Sequence, residues 1–172
     1  TRTLSLQAHD KIFINAPITV RNLTLTANDL DINAAINSNS AGNGTLTMQP
    51  FTASTTVGVG GGAGTLNIGD TDISNIQSGW LNVVVGSAAG TGQMNVDSSS
   101  WLSNTTLQTQ TGLLNVLGAQ SLASTKNLTI STRNLTLGST LSGTGNLNIT
   151  TDNNAITFGI GTGAVGTVNL DD

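Results

Sequence analysis

Leu4-Ser5-Leu6-Gln7-Ala8-His9-Asp10 leads into Ile12-Phe13-Ile14-Asn15-Ala16-Pro17-Ile18. Nineteen residues on, the phrase returns as Leu23-Thr24-Leu25-Thr26-Ala27-Asn28-Asp29 and Leu30-Asp31-Ile32-Asn33-Ala34-Ala35-Ile36. Aliphatic residues at i and i+2 (Leu4 and Leu6, Ile12 and Ile14, Leu23 and Leu25, Leu30 and Ile32) turn one side of each short strand inward, because side chains alternate across a strand. The residue between them points outward and is usually polar, Phe13 being the exception. Each unit reads as two short strands joined by an Asp-containing bend, where Asp and Asn favour turn backbone.

A glycine-led phrase carries the pattern through the rest of the chain: Gly44-Thr45-Leu46-Thr47-Met48, Gly64-Thr65-Leu66-Asn67-Ile68, Gly92-Gln93-Met94-Asn95-Val96, Gly112-Leu113-Leu114-Asn115-Val116, Gly145-Asn146-Leu147-Asn148-Ile149 and Gly166-Thr167-Val168-Asn169-Leu170. Its glycines are 20, 28, 20, 33 and 21 residues apart. Short alternating strands and small-residue turns recurring at such a period predict a stacked β-solenoid. The long intervals hold Gly79-Trp80-Leu81-Asn82-Val83, then Asn127-Leu128-Thr129-Ile130 and Arg133-Asn134-Leu135-Thr136-Leu137. They read as bulged or lengthened turns, which leaves the register open over 69–92 and 117–145. One turn per ~20 residues predicts an all-β fold, a single right-handed parallel β-helix of about eight turns over residues 1–172. No 3.6-residue period is visible, so no helix is expected. Both ends read as cut from a longer repeat array, and their unpaired strand edges lead to an expectation of end-to-end association.

The composition excludes several function classes. Charged residues are 8% of the chain, all nine acids are Asp, and the net charge is −4. Arg2, Lys11, Arg21, Lys126 and Arg133 stand singly, with no basic face to release counterions from nucleic acid. Neither a basic amphipathic stretch nor a long apolar run is present for membrane insertion. With no Cys, disulfides and thiolate metal sites are out, and no cofactor or metal is expected.

The remaining candidates are sparse. Carboxylate pairs for glycoside chemistry would be Asp29 with Asp31, Asp70 with Asp72, or Asp10 stacked one turn below Asp29. Turn chemistry explains these aspartates more simply, and no Lys or Arg stands near Asp70 or Asp72 in sequence. His9 is the sole histidine and reads as a solvated turn residue. Gly60-Gly61-Gly62-Ala63-Gly64 lacks the Asp of a calcium-binding repeat and the Lys-Ser/Thr of a phosphate loop, so it reads as a solenoid turn. Trp80 and Trp101 are the possible ligand contacts. If Leu81 and Val83 point inward, alternation turns Trp80 outward, and Trp101 follows about one turn later; burial at a corner is the equal alternative. The pairs Thr24 with Thr26 and Thr45 with Thr47 recur in too few turns for an ice-binding face. Sequons at Asn22, Asn43, Asn104, Asn127, Asn134 and Asn148 are mostly what a chain rich in Asn and Thr produces.

Asp10-x-x-x-Ile14-Asn15-Ala16-Pro17-Ile18, Asn22-Leu23-Thr24-Leu25 and Gly62-x-Gly64-x-Leu66-Asn67-Ile68 resemble repeats of filamentous haemagglutinin-type exoproteins. That resemblance implies a right-handed parallel β-helix exported by two-partner secretion from a Gram-negative bacterium. It also implies an outer-membrane transporter as partner and an extracellular or cell-surface location. The family's secretion-domain motifs are not found in this stretch, so the likeness is to the rod. The expected role is a non-catalytic structural and adhesive rod segment, its receptor a host or surface glycan or protein. The alternative is a carbohydrate-binding or polysaccharide-processing, lyase-like β-helix.

Overall fold

Three short strands, not two, make up a regular turn. The computed structural model describes residues 2–153, 155–160, 166 and 168–170. It is a parallel β-solenoid of about seven turns. The first face stacks β1 (Thr3–Gln7), β4 (Asn22–Thr26), β7 (Gly44–Gln49), β10 (Trp80–Gly86), β13 (Asn104–Gln108), β16 (Leu128–Ser131) and β19 (Leu147–Thr150). The second face begins with β2 (Lys11–Ile14) on β5 (Asp29–Ile32). It continues through β9 (Leu66–Ile68), β8 (Val57–Val59), β11 (Met94–Val96), β14 (Leu113–Val116) and β17 (Asn134–Leu137). The third pairs β3 (Ile18–Val20) with β6 (Ile36–Ser38), and further along stacks β12 (Ser99–Trp101), β15 (Gln120–Leu122) and β18 (Leu141–Ser142). A last parallel pair, β20 (Phe158–Ile160) and β21 (Val168–Leu170), closes the described chain.

Two readings of the long intervals are corrected here. Asn127–Ile130 and Arg133–Leu137 are not lengthened turns but a first-face and a second-face strand of one ordinary turn. The turn count falls from the expected eight because the third turn runs from Gly44 to Gly79 and holds two second-face strands and a helix, α1 (Asp70–Asn75).

Register explains the core. Leu23 stands over Leu46, Leu25 over Met48 and Leu107 over Ile130, and all six are fully buried. At the entry to first-face strands, asparagine side chains carry the next turn's backbone. Asn22 Oδ1 accepts from the Thr45 amide at 3.1 Å, Asn104 from Asn127 at 3.0 Å and Asn127 from Asn146 at 2.8 Å. Three of the sequon asparagines are therefore parts of the ladder.

The Gly60–Gly64 turn does something a solenoid turn does not. β8 and β9 are parallel and hydrogen-bonded, yet only residues 60–65 connect them. Parallel neighbours ordinarily need a crossover of a dozen residues or more. The chain achieves the return by folding directly back across β8, so that β9, later in sequence, lies on the N-terminal side of β8 and against β5. A methyl group on Gly64 would stand 2.0 Å from the Gly58 nitrogen, and one on Gly58 2.0 Å from the Gly62 oxygen. Only hydrogen fits.

Gly64→Ala should therefore cost about 1–3 kcal/mol or more through forced backbone displacement. Gly61→Ala has open space and loses only the benefit of its positive φ (+91°), about 1 kcal/mol. Urea-unfolding midpoints measure both, and equal losses would contradict the packing argument.

Candidate functional site

The helix α1 is where the ladder is interrupted. Its start is set by Asp72, whose Oδ2 accepts from the Gly69 amide at 2.8 Å, with Asp70 also in the favourable first turn. The other oxygen of Asp72 accepts from the Ile32 amide at 2.6 Å, while Asn75 Nδ2 donates to the Ile32 carbonyl at 2.6 Å. Two side chains thus occupy the backbone positions a neighbouring strand would take. Beyond them the ladder resumes at a parallel bridge between Ile36 and Ile76.

On one side of α1 lies an open groove of about 340 Å³, lined by Lys11, Asp29, Asp31, Asn67, Asp70 and Asp72 among others. β2 and β5 are in register with Lys11 opposite Asp29 and Phe13 opposite Asp31, so alternation sends all four outward. Lys11 Nζ is 3.0 Å from Asp29 and 3.8 Å from Asp31. The Asp29 hydrogen bond raises the Lys11 pKa, and the fields of Asp29, Asp31 and Asp72 add to it against partial desolvation. Burial raises the Asp72 carboxyl above its ordinary 3.8; the amides of Ile32 and Gly69 oppose that, and the charges of Asp31 and Asp29 reinforce it. On the other side of α1 is a larger notch of about 560 Å³, its wall built of Ser74, Ser98, Ser99, Ser100, Ser121 and Leu102 among others.

The structure brings both candidate aspartate pairs to one groove, where Lys11 pairs with Asp29 and Asp31 and shares the lining with Asp70 and Asp72, which have no cation near them in sequence. Lys11, not Asp10, stands opposite Asp29. Asp10 bonds instead to the exposed His9 at 2.8 Å, whose ring meets Phe51 edge-on at 5.1 Å. A second charged corner, where Arg133 and Gln110 bind Asp152, holds that carboxyl down at about 2, chiefly through the Arg133 hydrogen bonds. Its contribution to the fold is present above the ordinary carboxylate pKa and is lost as pH falls toward 2.

Trp80 and Trp101 are not exposed. Their accessibilities are 1% and 2%. Trp80 Nε1 donates to the Ile36 carbonyl at 3.4 Å, and Trp101 Nε1 to Gln120 Oε1 at 3.2 Å. Alternation misleads because the strand slips: Trp80 pairs with Gly44 and Asn82 with Thr45, which leaves Leu81 as the extra residue, 42% exposed. The most exposed phenyl ring among the described residues is Phe13, 60% accessible against 41% for Phe51 and 43% for Phe158, with Lys11 Nζ 5.1 Å from its centroid. Its place as the outward apolar exception in its strand was the signal for it.

Among the described residues no group of three or more potential ligands is arranged to hold a metal ion, and no helix is long and apolar enough to cross a membrane. Searches against protein-family profiles, curated proteins and solved structures find no match to this chain.

Two measurements check this geometry. Trp80→Ala and Trp101→Ala should each lose about 3–5 kcal/mol of stability, and neither ring should be open to a soluble quencher before unfolding. Because the folded chain holds the Asp72 proton more tightly than the unfolded one, this group makes stability decline as pH rises from 3.8 through its raised value, and adds no slope beyond. Asp72→Asn should remove that portion of the slope in urea midpoints recorded against pH; an unchanged slope would show that Asp72 is not its source.

Proposed function

We propose that this chain is a non-catalytic structural and adhesive rod segment of a filamentous haemagglutinin-type exoprotein, held at or released from a Gram-negative outer surface with an outer-membrane transporter as its export partner. The observation that carries the reading is what one carboxylate of each groove pair already does. Asp72 is committed to two backbone amides, and Asp29 accepts from the Leu30 amide while holding Lys11. Groups tied into the scaffold this way are not free to shuttle protons. The ladder of Asn and Thr side chains extends the rod without placing charge on its faces.

One observation favours a second, carbohydrate-binding reading: exposed Phe13 stands beside Lys11 and Asp31, two residues of the groove that Asn67 also lines, an apolar ring next to hydroxyl-binding groups. The groove sets one ammonium against four carboxylates, a balance that repels polyuronates and disfavours the lyase form of that reading. Neutral or amine-bearing sugars fit its charge.

The test is incubation with neutral, amino and acidic glycans, with retention and cleavage followed by mass spectrometry. No cleavage is expected, and any retained glycan should be neutral or amine-bearing and be lost with Phe13→Ser. Cleavage of any glycan would overturn the rod reading.

A further inference from the structure

The third face is broken inside the rod, at the level of α1. Before the break, β6 carries the next turn through the single bridge from Ile36 to Ile76. After it, β12, β15 and β18 stack in order. Between Ile76 and β12 the ladder lapses. Among the described residues β12 has only β15 as a strand partner, and α1 lies near it.

Register shows which backbone groups are left over. Ser99 stands opposite Gln120 and Trp101 opposite Leu122. The Ser99 amide donates to the Ala119 carbonyl at 3.1 Å, and the Ala123 amide donates to the Trp101 carbonyl at 2.9 Å. Alternate residues of a strand send their N–H and C=O to opposite edges. Those of Ser100, between the two, therefore point away from β15, and no backbone partner meets them among the described residues.

Ser100 lines the notch of about 560 Å³ beside α1. The side chains there leave the strand edge open. Ser98, Ser100 and Ser121 are short, and β12 has none of the lysine or proline that blunts an edge elsewhere. Ile73 and the exposed Leu102 add apolar lining. Asp70 lines the notch too, and no cation forms an ion pair with it among the described residues.

We propose that the free edge of β12 is a docking site for an extended peptide of a partner protein, with aliphatic residues at i and i+2 and a lysine or arginine between them. The peptide backbone meets the Ser100 amide and carbonyl as the missing strand would, its aliphatic side chains cover Ile73 and Leu102, and its cation meets Asp70. A second copy of this chain does not supply such a triplet. Its five cations stand in Thr1-Arg2-Thr3, Asp10-Lys11-Ile12, Val20-Arg21-Asn22, Thr125-Lys126-Asn127 and Thr132-Arg133-Asn134. Ser100 and Leu102 do not line the groove beside Phe13, so a failed glycan screen leaves this site standing.

The test is an amide-resolved NMR titration of the whole chain with the capped peptide Ser-Val-Lys-Val-Ser, its Ser-Val-Glu-Val-Ser counterpart, and chitotriose as a neutral sugar. Saturable shifts are expected at Ser100 and Ser74 at millimolar Lys peptide, with the Glu peptide at least ~3-fold weaker. Ser100→Pro removes a donor on this edge and none toward β15, so it should weaken the Lys peptide ~5-fold or more. The amides of residues 104–108 should stay in place, which certifies the fold. Asp70→Asn should shrink the preference for the Lys peptide while keeping the response at Ser100. The proposal is overturned by no response at Ser100, by equal binding of the two peptides, or by undiminished binding to a folded Ser100→Pro. The same shifts with chitotriose would assign the notch to a sugar, and the same shifts on raising protein concentration alone would assign it to a second copy; either result overturns the proposal.

Discussion

Everything in this fold follows from the demand that each turn's backbone donors and acceptors be met by the turns above and below. A parallel stack has no other source of partners in its interior, and an unmet buried amide or carbonyl costs on the order of 1–3 kcal/mol. Wherever the spacing is regular, strands satisfy one another and aliphatic side chains fall into columns, Leu23 on Leu46 and Leu25 on Met48. At strand entries, where the backbone bends away, asparagine takes over, because its short side chain carries an acceptor and a donor at once. Asn104 shows both uses, accepting from Asn127 and donating to the Leu81 carbonyl. The high Asn content is therefore a consequence of stacking.

The third turn shows the same rule under stress. Once the chain steps back through Gly60–Gly64, the second face gains a strand that the third face does not, and the levels no longer correspond. Asp72 and Asn75 meet the Ile32 amide and carbonyl from a helix, which lets the mismatch be absorbed in a few residues. Trp80 fills the volume next to the resumed bridge, and its indole N–H is directed to the Ile36 carbonyl. Inside the later turns Gln120 does comparable work: it is fully buried, accepts from Trp101 and donates to the carbonyls of Asp97 and Gly118.

The alternation and the solenoid period were legible in the sequence because they are set by local steric rules that hold turn after turn. The phase was not. The Gly-x-Leu-Asn-Val phrases belong to two different faces, Gly44 and Gly145 opening first-face strands and Gly64, Gly92, Gly112 and Gly166 preceding second-face ones, so their intervals mix one-turn and part-turn distances. The third strand escaped notice because Ile18-Thr19-Val20 and Ile36-Asn37-Ser38 are too short to show alternation. A six-residue helix is likewise too short to show a 3.6 period, although acids at Asp70 and Asp72 beside Gly69 are the charge pattern of a helix start. Of the two alternatives open for Trp80 the buried one holds, because one slipped residue reverses a period of two completely. Lys11 could be assigned to the groove only once the register of β2 on β5 was known.

The irregular turn is also where this rod has room for chemistry. A regular turn spends its outward residues on matching its neighbours, and a side chain that departs from the ladder weakens two interfaces. Around α1 the ladder has already been replaced by side-chain bonds, so grooves open on both flanks and the residues lining them answer to fewer constraints. The groove carboxylates illustrate the division: Asp72 is held by the scaffold, while Asp31, in register beside Phe13, faces outward next to the ring. A ligand on this surface would be gripped by what the ladder leaves over, an aromatic face and uncommitted oxygens, and not by the groups that keep the turns together.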